Sequence, residues 1–249
     1  MNTKLPCIYS LGALLAAVLL NPIASADTVS WTGAGGNDNW STPGNWAGGA
    51  PEPGNAILFN DDDATGFPGL FGTPNNIVDV SVAIQSLKYG NTNQLFHTTQ
   101  IPAGSVLSIE GTVNPVLMVG TGQDNGAAQT VYATVLGQGS LFVTNTAGII
   151  SVIQGSATAG AKLATLDMEG LETFTAYVSQ IRVAAENGGS STPQYNRPNA
   201  TLLLAKTNLL SCAGNPGLLV SRTTGNGGTC DVRLGQENTI LSDGGITVG

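Results

Sequence analysis

Histidine and positive charge are scarce in this chain, and each shortage removes a class of function. His97 is the only histidine, so His-rich zinc sites and the H-E-x-x-H metalloprotease arrangement are excluded. Lys and Arg number 8 against 16 Asp and Glu, a balance that argues against nucleic acid or an anionic membrane surface as partner, because both are held by basic patches. Charged residues make up only 10% of the chain, against about 25% in ordinary soluble domains. No G-x-S-x-G nucleophile elbow occurs; Gly137-Gln138-Gly139-Ser140-Leu141 has its serine misplaced and lacks the last glycine. A phosphate-binding loop is absent as well. Helical periodicity is nearly missing: Leu166 to Tyr177 is the one stretch open to a helical reading, and Gly170, Thr173 and Thr175 weaken it.

What is present starts with an export leader. Lys4 gives a positive start, Leu11 to Leu20 is an unbroken apolar and small run, and Ala24-Ser25-Ala26 reads as a cleavage site that leaves Asp27 as the first mature residue. Ten apolar residues are too few to cross a bilayer core, which needs roughly 20. Cys7 precedes that run, where a lipidated cysteine would follow it. No later segment is long and apolar enough to span a membrane. The mature chain is expected to be secreted or held at the outer cell surface.

Glycine is abundant, with 34 residues, and the hydrophobic fraction reaches 41%. Disorder pairs low hydrophobicity with high charge, so this composition points to a turn-dense all-β protein. Short apolar runs recur, each ended by Gly, Asn or Pro: Ile77 to Val82, Val106 to Ile109, Val116 to Val119, Val131 to Leu136, Leu141 to Val143, Ile149 to Ile153, Ile181 to Val183, Thr201 to Leu204 and Leu218 to Val220. Several alternate apolar with polar residues, as strands with one face inward do.

Three later segments repeat one plan. They begin near Leu166, Thr201 and Asp231 and end at Val183, Val220 and Val248. Met168, Leu204 and Leu234 occupy equivalent places, as do Asn208 and Asn238, each followed by an apolar pair, Leu209-Leu210 or Ile240-Leu241. A unit of this length with two or three short strands suits one coil of a parallel β-solenoid, whose neighbours must stack to share a core. Asparagines at one repeat position are expected to bond turn backbone and stack as a ladder. The chain divides into a leader (1–26), a Trp-rich N-terminal region (27–76) and solenoid repeats (77–249). No closing cap follows the last repeat, which suggests a piece of a longer protein.

Trp31-Thr32-Gly33, Asn39-Trp40-Ser41, Asn45-Trp46, the segment Gly49 to Asn55 and Ile57-Leu58-Phe59-Asn60 resemble the opening of autotransporter-passenger-like, PEP-CTERM-associated exported proteins of Gram-negative bacteria. Ile77 to Tyr89 resembles the stretch that usually follows, and the Ile246-Thr247-Val248-Gly249 ending matches their repeats. The resemblance implies a right-handed parallel β-helix at a cell surface, with no established chemistry. Neither the sorting signal nor the translocating barrel of that group is seen here, so the mode of anchoring is open.

Candidate sites follow from the remaining residues. Trp31, Trp40 and Trp46 are the only tryptophans. They read either as an aromatic plug capping the first coil or as a platform on which sugar rings stack. Asp61, Asp62 and Asp63 read as a solvated acidic turn or a calcium site, although EF-hand and glycine-rich calcium-repeat spacings are missing. Asp167, Glu169 and Glu172 lie close enough to be weighed as glycosidase carboxylates, and His97, in a Thr/Gln-rich stretch, is expected at the surface. Export to an oxidising compartment leads to the expectation of a Cys212–Cys230 disulfide closing a loop of about 18 residues, worth on the order of 3 kcal/mol; two unpaired buried thiols are the alternative. Together these features suggest a non-catalytic structural or adhesive β-solenoid without a cofactor, calcium apart, whose partners are surface glycans or other envelope components. An extracellular polysaccharide-binding or polysaccharide-degrading β-helix is the alternative, by analogy of fold.

Overall fold

A computed structural model describes residues 27–66, 72–91, 95–120, 130–154, 163–185, 199–220 and 229–249; the leader at 1–26 lies outside them. Among the described residues there is no α-helix, only a 3-10 turn at Pro43–Asn45, and no helix is long and apolar enough to cross a membrane. The N-terminal segment contributes β1 (Thr28–Trp31), β2 (Trp46–Ala47), β3 (Ala56–Phe59) and β4 (Thr65–Gly66). A first circuit follows in β5 (Asn76–Ile77), β6 (Val82–Ile84) and β7 (Ser86–Tyr89). The next circuits are β8 (Leu95–Gln100), β9 (Val106–Ile109) and β10 (Leu117–Val119), then β11 (Val131–Val143) and β12 (Ile149–Val152). After them come β13 (Ala164–Asp167), β14 (Leu171–Val178) and β15 (Gln180–Val183), and β16 (Ala200–Leu203), β17 (Thr207–Cys212) and β18 (Leu218–Val220). The last is β19 (Cys230–Arg233), β20 (Glu237–Ser242) and β21 (Ile246–Val248).

These strands stack as a parallel β-solenoid with three faces. Face one is a nine-stranded sheet in the order β2-β1-β3-β7-β10-β12-β15-β18-β21. Face two holds β4, β5, β8, the first half of β11, β13, β16 and β19; face three holds β6, β9, the second half of β11, β14, β17 and β20. Only β1–β2 and β4–β8 pair antiparallel among the named strands.

Alternation along each short strand sends every second side chain inward, and parallel register stacks like on like. On face one, Ile57, Leu87, Leu117, Ile150, Ile181 and Leu218 form one continuous inward ladder. Phe59, Tyr89, Val119, Val152, Val183 and Val220 form the second. All twelve are buried. No coil could bury this surface alone, so each strand depends on the coils above and below it.

The repeat equivalences read from the sequence are the observed register. Leu166 pairs with Leu202 and Leu202 with Val232, which places Met168, Leu204 and Leu234 at one position. Asn208 pairs with Asn238, and Asn208 Nδ2 donates to Asn238 Oδ1 at 2.9 Å and to Ala205 O at 2.6 Å, while Asn238 Nδ2 donates to Gly235 O at 2.8 Å. The apolar pair after the asparagine is offset by one: Leu210 faces Ile240, and Leu209 faces Thr239.

Leu166 to Tyr177, where the helical reading is already weak, is β13, a three-residue turn and β14. Two strand expectations change. The alternating run Ile77 to Val82 is split, because the chain turns the corner between faces two and three there; Val78 is buried and its N–H donates to Gln100 O at 2.8 Å, whereas Val80 is 48% exposed. Val131 to Leu136 and Leu141 to Val143 are one strand that bends between faces at Gly137, where φ is +116° and a Cβ would overlap the carbonyl of Ile101.

Candidate functional site: the N-terminal aromatic layer

A cluster of aromatic side chains joined by long-range hydrogen bonds lies at the N-terminal end of the solenoid. Trp31 is at the end of β1, Trp46 begins β2, and Trp40 lies between them, its N–H bonded to Ile77 O at 2.8 Å. All three indoles are buried. Trp46 meets Trp31 and Trp40 edge-on, with ring centroids 4.9 and 5.2 Å apart. Phe59 lies 5.9 Å from each of the three and stacks at 5.1 Å on Tyr89 of the next coil. Each indole N–H finds an acceptor: Asp63 Oδ2 at 2.9 Å for Trp31, Asn76 Oδ1 at 3.0 Å for Trp40, and Trp40 O at 2.9 Å for Trp46. Sugar stacking needs an open ring face, and in this arrangement the rings have none.

The acidic turn is tied into the same layer. Asp61 is partly exposed and Asp62 and Asp63 are exposed, but Asp63 takes φ +52° and aims its carboxylate at Trp31. Partial burial raises the Asp63 pKa, opposed by the Trp31 hydrogen bond and reinforced by nearby Asp38. Gly33, at φ +63°, lies so close that any side chain there would overlap Asp63. Among the described residues no three His, Cys, Asp or Glu side chains gather in a metal-holding group.

His97 is not at the surface. It lies on β8 and is fully buried, because β8 turns His97 and Thr99 inward where each finds a partner. His97 Nε2 is 2.7 Å from Asn60 O, Nδ1 is 3.1 Å from Asn75 Nδ2, and Phe59 packs on the ring at 4.8 Å. Thr99 Oγ1 is 2.7 Å from Tyr89 Oη. Burial lowers the His97 pKa to about 4, against the opposing effects of the Asn60 bond, Asp61 and Asp62. The sequence signal for these partners is weak, since Asn60 and His97 are 37 residues apart.

The other candidate carboxylates lie along the corner between faces two and three, from the end of β13 to the start of β14, and are already engaged. Asp167 accepts from Tyr132 Oη at 3.1 Å and from the Glu169 N–H at 3.0 Å. Glu169 pairs with Arg233 at 3.0 Å, reaching across two coils, and Glu172 pairs with Lys206 at 2.8 Å. Of the three acids, only Glu169 lines the nearby cavity of about 320 Å³. They do not converge on one cleft.

The expected disulfide is absent: Cys212 and Cys230 are not bridged. Cys212 ends β17 on face three and stacks between Val178 and Ser242, whereas Cys230 starts β19 on face two beside Ala200. The intervening chain passes along face one, so closeness in sequence is not closeness in space. Burial pushes the Cys212 thiol up to about 11.

Comparison with protein-family models, curated proteins and solved structures gave no match.

Proposed function

We propose that this chain is a structural or adhesive β-solenoid, secreted or held at the outer cell surface, and wound right-handed like the exported proteins its N-terminus resembles. The Trp layer acts as the plug over its first coil. The observation that supports this reading best is the outward surface of face three. Ser108, Phe142, Thr175, Leu209 and Thr239 run along it in register, beside a row containing Ser140, Thr173 and Thr207. The two rows are uncharged until Glu237 in the last coil. A neutral surface of largely half-buried Ser, Thr and Phe142 side chains, with the exposed Tyr177 ring on the same face, suits neutral glycans or other envelope components, which bind without charge pairing. Stacking lengthens such a surface without requiring a catalytic cleft.

The test is a glycan array probed with the purified chain, with and without calcium, alongside a Phe142→Ala/Tyr177→Ala variant. Retention of selected neutral glycans, lost in the variant, is the expected result. Release of shortened oligosaccharides would identify a degrading enzyme instead. Absence of binding to glycans and to isolated envelopes would remove the adhesive role.

A further inference from the structure

We propose that His97 and Asn75 form an acid-operated lock that fastens the N-terminal aromatic layer onto the rest of the solenoid. A backbone N–H can only donate, and one fixes the orientation of the Asn75 amide. The backbone N–H of Thr98 points at Asn75 Oδ1 at 2.9 Å, and Asn76 Nδ2 donates to the same oxygen at 3.1 Å. Asn75 must therefore present its NH2 group on the other side, where it donates to Asp63 O at 2.8 Å and faces His97 Nδ1 at 3.1 Å. His97 Nδ1 is thus an acceptor, and Nε2 carries the proton donated to Asn60 O. Only the neutral ring satisfies both contacts.

A proton added at Nδ1 sets a donor against a donor inside a fully buried site. Flipping the Asn75 amide gives no escape. Its NH2 would then face the Thr98 N–H and Asn76 Nδ2, and its oxygen would face Asp63 O. The ring or the amide has to move, and an unpaired buried polar group is costly. The consequence travels along named contacts: Asn75 holds Asp63 O, and Asp63 Oδ2 holds the Trp31 indole. Asn60 O, the other anchor of His97, directly follows Phe59, on which all three tryptophans pack. Protonation releases the 60–63 turn and loosens the indoles, while the ladders of the later coils keep their partners.

The surroundings bias the ring in both directions. From the turn after β3, Asp61 and Asp62 favour the cation, and Asp63 approaches through Asn75. From β5 and the residue before it come Asn76 and Asn75, from β3 Phe59 and from β11 Ala133, none of which titrates. Tyr89, beyond Phe59, has its pKa raised by burial and stays neutral. Burial outweighs the acids, so the ring is neutral in the closed form down to about pH 4 and protonates at its ordinary value once released.

The molecule carries its own reporters, because all three tryptophans lie in this layer and His97 is the single histidine. The experiment follows tryptophan emission and far-UV circular dichroism of the purified chain from pH 7.5 to 3.5, together with the imidazole proton resonances. We expect a red shift in emission at a pH where the β signal is still native, and no imidazole titration while emission is unshifted. His97→Gln, which cannot titrate, should abolish that separate step; Asp63→Asn should keep it. Emission and circular dichroism collapsing together would overturn the proposal. So would a step unchanged in His97→Gln, or one lost in Asp63→Asn alone. If the glutamine variant does not fold, the wild-type resonances decide: an imidazole titrating near its ordinary value with emission unmoved refutes the lock.

Discussion

Burial inside the stack, more than any single partner, shifts the titration of its enclosed side chains. For His97 the folded pKa is depressed to about 4 from an ordinary 6.5, so the unfolded chain binds the extra proton first as pH falls. Stability from this residue is therefore complete above about pH 6.5 and is lost progressively towards pH 4, by on the order of 3 kcal/mol in total. Urea midpoints measured at pH 7 and pH 4.5 should differ by less in His97→Gln than in the wild type. Cys212 offers a second check. With its thiol raised to about 11, alkylation at pH 8 should run roughly 100-fold slower than for an ordinary cysteine, in proportion to its thiolate fraction. Intact mass after unfolding should show no Cys212–Cys230 bridge, and a reductant should leave the unfolding midpoint unchanged. The sequence points His97 to the surface and favours the bridge for Cys212 over the buried thiol that is found. His97 sits in a polar run whose neighbours suggest solvent, and its acceptor comes from a turn on another coil. For the cysteines, sequence separation says nothing about which face each strand occupies.

At the level of strands and turns, the legible features were those that repeat. Met168, Leu204 and Leu234 could be aligned because stacked coils demand similar residues at stacked positions, and the Asn208–Asn238 pair could be foreseen because an amide supplies both donor and acceptor to its neighbours. What escaped was the exact pairing after the asparagine: Leu209-Leu210 and Ile240-Leu241 look alike as text, yet register puts Leu210 against Ile240 and leaves Leu241 55% exposed. The split after Ile77 escaped for a similar reason, since Val80 preserves the alternation while pointing outward at a corner. The asparagine pair makes a quantitative expectation. Asn208→Ala removes the donor to Ala205 O, inside the turn between β16 and β17. It should destabilise by about 1–3 kcal/mol, the cost of a buried acceptor left without a partner, as read from denaturant unfolding.

For the molecule as a whole, stability is carried by ladders that no single coil could supply. Ile181 sits in the middle of one of them, between Ile150 and Leu218, and is fully buried. Ile181→Ala should lower the unfolding free energy by about 2–5 kcal/mol, whereas Met118→Ala, on the outward side of the same face, should cost well under half as much. The aromatic layer, by contrast, ends the first sheet at β2 and could be sensed in the sequence only as a crowding of tryptophans. The corners of the solenoid differ in a way that reaches beyond stability. Three residues separate β13 from β14, β16 from β17 and β19 from β20, whereas 16 separate β15 from β16 and nine separate β18 from β19. The irregular repeat length is therefore concentrated where the chain passes from face one to face two. Loop closure grows only slowly more costly with length, by about 0.6 kcal/mol per doubling. A foreign peptide spliced between Ala185 and Asn199 should leave the unfolding midpoint nearly unchanged, while one residue added between β16 and β17 should slide Asn208 off Asn238. This spine thus has one margin on which new sequence can be displayed and another on which a single added letter misaligns the stack.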